Sequence, residues 1–204
     1  MNLDDPARHA ELRPLIQKKA SLNRYYLEVY RKYRECLTRC PKEGLILELG
    51  SGCGFVKSVI PEAVTSDVIP YPGIDQVIDA TKMDLPDASV RLICMWNVLH
   101  HIPDPEAFFR EANRCLVPGG RVFIVDQYAG WLSSPIYKHF HHEPFDDTTK
   151  EWRFASSGPL SGANGALAGI FFAAIEKRLK NFFPDLWWRP TAPTRPYATG
   201  SLVA

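Results

Sequence analysis

No run of apolar residues in this 204-residue sequence is long enough to span a membrane. Its first residues, Met-Asn-Leu-Asp-Asp-Pro, lack the basic-then-apolar pattern of a secretory leader. A cytoplasmic chain with no transmembrane segment is therefore expected. Neither sign of charge is in excess: 24 Lys and Arg against 23 Asp and Glu give a formal net charge of +1. Nucleic acid usually recruits a strongly basic face, so no nucleic-acid partner is expected. Cysteines are scattered and odd in number, five in all. Cys36 and Cys40 stand one helical turn apart, but no second pair completes a zinc site, and Cys94 and Cys115 sit in apolar, core-like segments. No internal repeat or low-complexity tract is present. What remains, 46% hydrophobic and 23% charged, is the composition of one globular domain with a core of its own.

The stretch Leu45-Ile-Leu-Glu-Leu-Gly-Ser-Gly-Cys-Gly-Phe55 organises the rest. An apolar run broken only by Glu48 reads as a buried strand, the alternating glycines as a tight turn, and Phe55–Ile60 as the start of a helix. Such a helix would aim unpaired N–H groups and its positive end at a ligand. The dinucleotide fingerprint G-x-G-x-x-G is missed, because Phe55 stands where its third glycine belongs. Glu48 two places before Gly50-Ser51-Gly52-Cys53-Gly54 instead resembles motif I of the class I S-adenosylmethionine (SAM) dependent methyltransferases. Their ligand carries an amino acid and a sulfonium, and asks the loop for close approach more than for anion capture.

The chain before this loop, from about Ala7 to Arg39, reads as helix with a break near Pro14 and an apolar face of Leu22, Tyr26, Val29, Tyr33 and Leu37. It is expected to pack on the domain; as a lid, it would turn Tyr25, Tyr26 or Tyr30 to the ligand. After the loop, Ala63–Val68 is a second strand closed by Asp67, placed where nucleotide-binding α/β units keep an acid for the ribose hydroxyls. Ile69-Pro-Tyr-Pro-Gly73 cannot be helical. Yet Gln76-Val-Ile78 is already strand-like, although parallel strands need a crossover of about a dozen residues or more. The second crossover is therefore short and helix-free. Asp79 and Ala80 follow, suited with Val68 and Met83 to hold an adenine. Ser89–Met95 is a buried fourth strand, Asp104-Pro105-Glu106 opens a helix, and Pro118-Gly-Gly turns into a fifth strand, Arg121–Asp126. The fold expected is α/β: a Rossmann-like, doubly wound, mostly parallel sheet with a shortened second crossover and an N-terminal helical extension. It forms one domain over 1–204, with a helical cap at 1–44, a ligand-binding core at 45–126, and an acceptor-side insertion with C-terminal helix and tail at 127–204.

Glu48-x-Gly50-x-Gly52-x-Gly54, Asp67, Asp79-Ala80 with Leu85-Pro86, Asn97-Val-Leu-His-His-Ile102 and Leu116-x-Pro118-Gly119-Gly120 occur in the order of the small-molecule class I methyltransferases of type 11. The chain resembles that family from Leu45 to Asp126. The resemblance implies that SAM is the cofactor, cupped at its methionine end by the glycine loop with Glu48, Gly50, Ser51, Gly52 and Gly54. Asp67 would hold the ribose, Val68, Asp79 and Ala80 the adenine, and Asn97 would lie beside the methionine.

Methyl transfer needs an aligned nucleophile, and a base where that nucleophile is a hydroxyl. His100, His101 and Asp126 stand at strand ends as candidates for that catalytic role. His139, His142 and Glu143, with His141 between, are candidates for the substrate side. As metal ligands they lack regular spacing, so no metal is expected. The apolar segment 166–183 with Trp187 and Trp188 reads as a packed helix, with a pocket wall, a membrane-surface contact or a homodimer surface as its other uses. The proline-bearing tail 189–197 cannot supply a central strand, and the last two strands of the fold are not identifiable. The reading is methyl transfer from SAM to a small-molecule or lipid-like acceptor, at oxygen, since no Asn-Pro-Pro-Tyr signature for nitrogen acceptors occurs. The rivals are a non-catalytic SAM-binding or scaffold protein and, further off, an NAD(P)-dependent oxidoreductase.

Overall fold

The computed structural model describes residues 6–127, 139, 143–149, 151–156, 158–159, 162–170, 187–191 and 197–203, with the backbone alone for 6–10, 187–191 and 197–203. Among the described residues seven strands form one sheet in the order β3-β2-β1-β4-β5-β7-β6. They are β1 Leu45–Leu49, β2 Val64–Asp67, β3 Gln76–Val77, β4 Val90–Trp96, β5 Leu116–Gln127, β6 Trp187–Thr191 and β7 Tyr197–Val203. Strands β1 to β5 pair in parallel, while β7 runs antiparallel to both β5 and β6. The sheet is thus a Rossmann-like, mostly parallel one, and its strand order reverses between β1 and β4, where such sheets hold their ligands. The last two strands, illegible in the sequence, are β6 and β7. Pro190 lies in β6, the outermost strand, where a missing backbone donor is tolerated.

Alternation along the strands builds a core on each face. Leu47 and Leu49, Ile93 and Met95, and Val122 and Ile124 pack with Phe108, Phe109, Ala112 and Cys115 of helix α3, Pro105–Cys115. Their neighbours Ile46, Leu92, Cys94, Phe123 and Val125 pack with Val29, Tyr30, Tyr33 and Cys36 of α2, Ala20–Leu37. Each such side chain contributes roughly 1.5–3 kcal/mol by leaving water. Helix α3 starts as its sequence dictates: the Asp104 carboxylate accepts from Ala107 N at 3.0 Å and Pro105 opens the first turn.

The N-terminal helix is two helices. The break falls at Lys19, after α1 (Pro6–Lys18), and not at Pro14, which sits within α1. The buried stripe of α2 is also rotated from the expected one: Tyr30 and Cys36 are buried, while Leu22 is 40% exposed. The second crossover is helix-free as expected. Ile69 and Tyr71 from the proline-rich connection are buried in its place. Strand β5 begins before Arg121: Leu116 pairs with Val90 and Arg121 with Leu92, with Gly119 at φ +80° in the irregularity between. Of the expected helix 166–183, residues 167–170 are helical and 171–183 lie outside the described residues. Among the described residues no helix is long and apolar enough to cross a membrane.

Candidate functional site

The turn after β1 is built by hydrogen bonds to β2. Ser51 N donates to Ser66 O at 2.8 Å, Ser51 Oγ donates to Glu48 Oε2 at 2.7 Å, and Ser66 Oγ donates to Glu48 O at 2.8 Å. Gly52 N donates to Asp67 Oδ2 at 3.0 Å, and Ile69 N to Asp67 Oδ1 at 3.1 Å, so one carboxylate ties the turns after both strands together. The expected helix after the loop is a single 3-10 turn, Val56–Ser58. Its leading donors are used internally: Gly54 N bonds Ser51 O at 2.7 Å and Phe55 N bonds Tyr30 Oη at 2.9 Å. The loop therefore offers bare backbone to a ligand, without a fan of free N–H groups. Gly50, at φ +67°, has no room for a Cβ, which would fall 2.2 Å from Val98 Cγ2. At Gly54 a Cβ would meet Tyr30 Oη at 2.6 Å.

Tyr30 thereby joins the N-terminal helices to the loop. Burial raises its phenol's pKa, with Glu48 adding to the effect, so the hydroxyl stays neutral. Tyr30→Phe leaves a part-buried N–H of Phe55 without its acceptor and is expected to destabilise the fold by about 1–2 kcal/mol in denaturant titrations. A change below about 0.5 kcal/mol would mean the bond contributes nothing.

Around this turn lies a cavity of about 640 Å³, within the range of small-molecule sites. Glu48, Gly50, Ser51, Gly52, Asp67, Val68, Asp79, Ala80 and Asn97 line it, while Gly54 stands just behind. Burial drives the Glu48 carboxyl up to about 8, the Ser51 hydrogen bond offsetting part of this and the Asp67 charge adding to it. Burial raises Asp67 too, against the backbone donors of Ile69 and Gly52. Val68 is an apolar side chain left 48% exposed at the cavity. Asp79 is exposed and accepts from Thr81 N and Oγ1 through Oδ1. Asn97 takes the rare left-handed conformation, φ +54°, with its N–H on Val125 O. Its Oδ1 is buried with no hydrogen-bond partner, which marks a place for a ligand donor. Sequence reasoning missed Trp96. It lines the cavity and meets Tyr26 edge-on at 4.4 Å, and Tyr26 stacks on Phe55 at 5.4 Å. An aromatic closing an apolar strand gives no signal until α2 is laid against it.

Beyond Val98, which abuts Gly50, His101, Ile102, Pro103, Ser156 and Pro159 line the cavity. His100 is buried behind His101, with Nδ1 donating to Asp126 Oδ1 at 2.5 Å. Asp126 is fully buried and is not among the cavity-lining residues, so it meets His100 and no acceptor. Glu143 reaches both rings, with Oε2 at 3.5 Å from His100 Nε2 and Oε1 at 3.6 Å from His101 Nε2. It is held there because Gly165 N bonds Pro144 O and Asn164 N bonds His100 O, both at 2.9 Å. Burial lowers the pKa of His100, but Asp126 and Glu143 outweigh it and bring it up to about 9. Burial and the neighbouring His100 lower that of His101. Burial pushes Glu143 up, and His100 outweighs it to leave the acid at about 2. His139 is exposed and does not line the cavity; His141 and His142 lie outside the described residues.

A family model described as a methyltransferase domain matches residues 21–159. Three solved structures share the fold. One is a SAM-dependent methyltransferase from Thermotoga maritima, titled a possible histamine N-methyltransferase. It is 16% identical with a TM-score of 0.58, over 98% of this chain and 97% of that one. A putative S-adenosyl-L-methionine-dependent methyltransferase from Methanococcus maripaludis is 12% identical with a TM-score of 0.56, over 100% and 94%. A SAM-dependent methyltransferase from Aquifex aeolicus is 18% identical with a TM-score of 0.50, over 98% and 97%. No curated protein matches the chain.

Proposed function

This chain belongs to the methyltransferase-domain family, and from that premise we propose that it is a class I SAM-dependent enzyme that methylates an oxygen of a small-molecule or lipid-like acceptor, in the manner of the type 11 enzymes. The observation that carries the reading is the cavity itself. Backbone at Gly50 that admits no side chain, the carboxylates of Glu48, Asp67 and Asp79, and the unpartnered Asn97 Oδ1 all converge on it. These groups fit SAM. Glu48 and Asn97 would take the amino-acid end, Asp67 the ribose diol, and Val68, Asp79 and Ala80 the adenine. When bound, SAM supplies a methyl group made electrophilic by its sulfonium. Tyr26, Trp96 and Val98 would exclude water around it. His101, with His100 and Glu143 behind, would receive the acceptor's hydroxyl, and Asp126 would act through His100 as a positioning residue. Ile102, Pro103 and Pro159 offer an apolar wall to the rest of the acceptor. The scaffold alternative leans on the missing crossover helix and the irregular tail; the second crossover is helix-free, while β6 and β7 from the tail complete the sheet.

Glu48 gives the reading a pH test. Its folded carboxyl titrates near 8 against an ordinary 4.5, so between those values the folded chain holds a proton that the unfolded chain has lost. Its contribution to stability accordingly falls as pH rises through that window. A cationic ligand beside Glu48 draws the carboxyl back down and expels the proton. Calorimetric titration with SAM at pH 7 is expected to release up to about one proton. It is read as a binding enthalpy that changes with the buffer's ionisation enthalpy, and it should fade as pH rises through 8 and be absent in Glu48→Gln. No binding of SAM or its demethylated product would end the proposal. Binding without proton release would remove Glu48 from the ligand's charged end. Transfer of labelled methyl from SAM to a panel of hydroxyl-bearing acceptors tests the reaction itself.

A further inference from the structure

His100 and His101 come from the turn after β4, and Glu143 from the segment beyond β5. Among the described residues these three form a group whose ligating atoms all lie within 4.8 Å of one another. The two Nε2 atoms stand 3.5 and 3.6 Å from the two Glu143 oxygens. An ion bound at about 2.0–2.2 Å by two imidazoles and a carboxylate sets its ligand atoms roughly 3.0–3.5 Å apart, so little movement is needed to close on one.

What stands behind each of these side chains separates the trio from an ordinary ion pair. Ligating histidines almost always donate their other ring N–H to a carboxylate or a backbone carbonyl. Here each does one of these: His100 Nδ1 donates to Asp126 Oδ1 at 2.5 Å, and His101 Nδ1 to Gly162 O at 3.3 Å. Both rings are thereby turned so that Nε2 faces the common centre. Gln127 Nε2 donates to Glu143 Oε2 at 3.3 Å, and Asp126 is itself held by His100 N at 3.3 Å and Gln127 N at 2.7 Å. We propose that His100 Nε2, His101 Nε2 and a Glu143 carboxylate oxygen form a site for a divalent first-row transition cation, with Zn²⁺ best matched to the donor set. Mg²⁺ and Ca²⁺ prefer all-oxygen ligands and are poorly served by two imidazoles. Among the described residues the three ligands leave a position open, and one of them, His101, lines the cavity. The inference deepens the proposed function by naming the acceptor's anchor as an oxygen donor, with His101 as a ligand to the ion and not a free base. The expectation of no metal failed to weigh this set because the ligands come from separate segments of chain.

The test uses the full-length protein, stripped with a chelator and dialysed against micromolar Zn²⁺. One equivalent is expected to remain by elemental analysis, in the wild type and in Cys40→Ser alike. Glu143→Gln and His101→Ala should each reduce the affinity at least tenfold. Asp126→Asn, which spares all three ligands, should reduce it about 10–100-fold. Co²⁺-loaded protein should show visible absorption without a thiolate charge-transfer band. Far-UV circular dichroism checks that each variant is folded. No retained zinc in the wild type, or retention unchanged in both Glu143→Gln and His101→Ala, overturns the proposal and leaves the cluster an ion pair. SAM affinity measured on the same samples reports separately on the cofactor reading. A chain that binds SAM but not zinc loses only the metal site.

Discussion

Substituting alanine for Gly50 is expected to cost about 2–5 kcal/mol, as lost stability or as lost SAM affinity. Two separable effects add. The residue sits at φ +67°, where an L side chain costs roughly 1–2 kcal/mol. Its Cβ would also fall 2.2 Å from Val98 Cγ2, a clash that forces the loop or the turn after β4 to move, at about 1–3 kcal/mol. Denaturant unfolding and SAM calorimetry together capture the sum. Adding Val98→Ala should relieve the clash but not the dihedral strain, so the double variant recovers part of the loss. Should Gly50→Ala behave like the wild type in both measurements, neither the dihedral nor the contact with Val98 constrains this position.

Asp67→Ala is the second large effect. The side chain accepts from Gly52 N and Ile69 N while its carboxylate faces the cavity, so removal frees two turns and takes away the proposed ribose acceptor. Losing a hydrogen bond to a charged group costs about 1.5–3 kcal/mol, which corresponds to roughly 10–150-fold in SAM affinity. Asp67→Asn separates the roles. Its carbonyl can still accept from one backbone N–H, so the loops should stay closer to native while the ribose contact weakens. Unchanged affinity in Asp67→Ala would remove the residue from the site.

The parts of the fold legible in the sequence are those whose cause is local. Glu48 to Gly54, Asp67 closing β2, the prolines that forbid a helix after it, and Asp104-Pro105 opening α3 each act within a few residues of themselves. The parts that escaped depend on distant partners. The helix expected at Phe55 is a single 3-10 turn, and the acceptor of the Phe55 N–H is Tyr30, from a helix 25 residues earlier. The stripe of α2 is rotated because Tyr30 and Cys36 pack against the sheet, while Leu22, favoured by periodicity alone, is left exposed. Asp126 was legible as a strand-end acid, but its burial behind His100 was not, nor was the approach of Glu143 to both histidines. Those contacts exist only once β4, β5 and the segment after β5 are side by side.

The bond between the Tyr30 hydroxyl and the Phe55 amide, beside the stack of Tyr26 on Phe55, also couples α2 to the glycine turn. Opening α2 exposes the amide of the glycine turn, and anything that clamps the turn holds α2 shut. Hydrogen exchange along residues 20–37 should therefore slow when the cavity fills, although only Tyr26 and Tyr30 of that helix reach it. The N-terminal arm is in this sense expected to report occupancy, with proteases cutting it more slowly when ligand is bound.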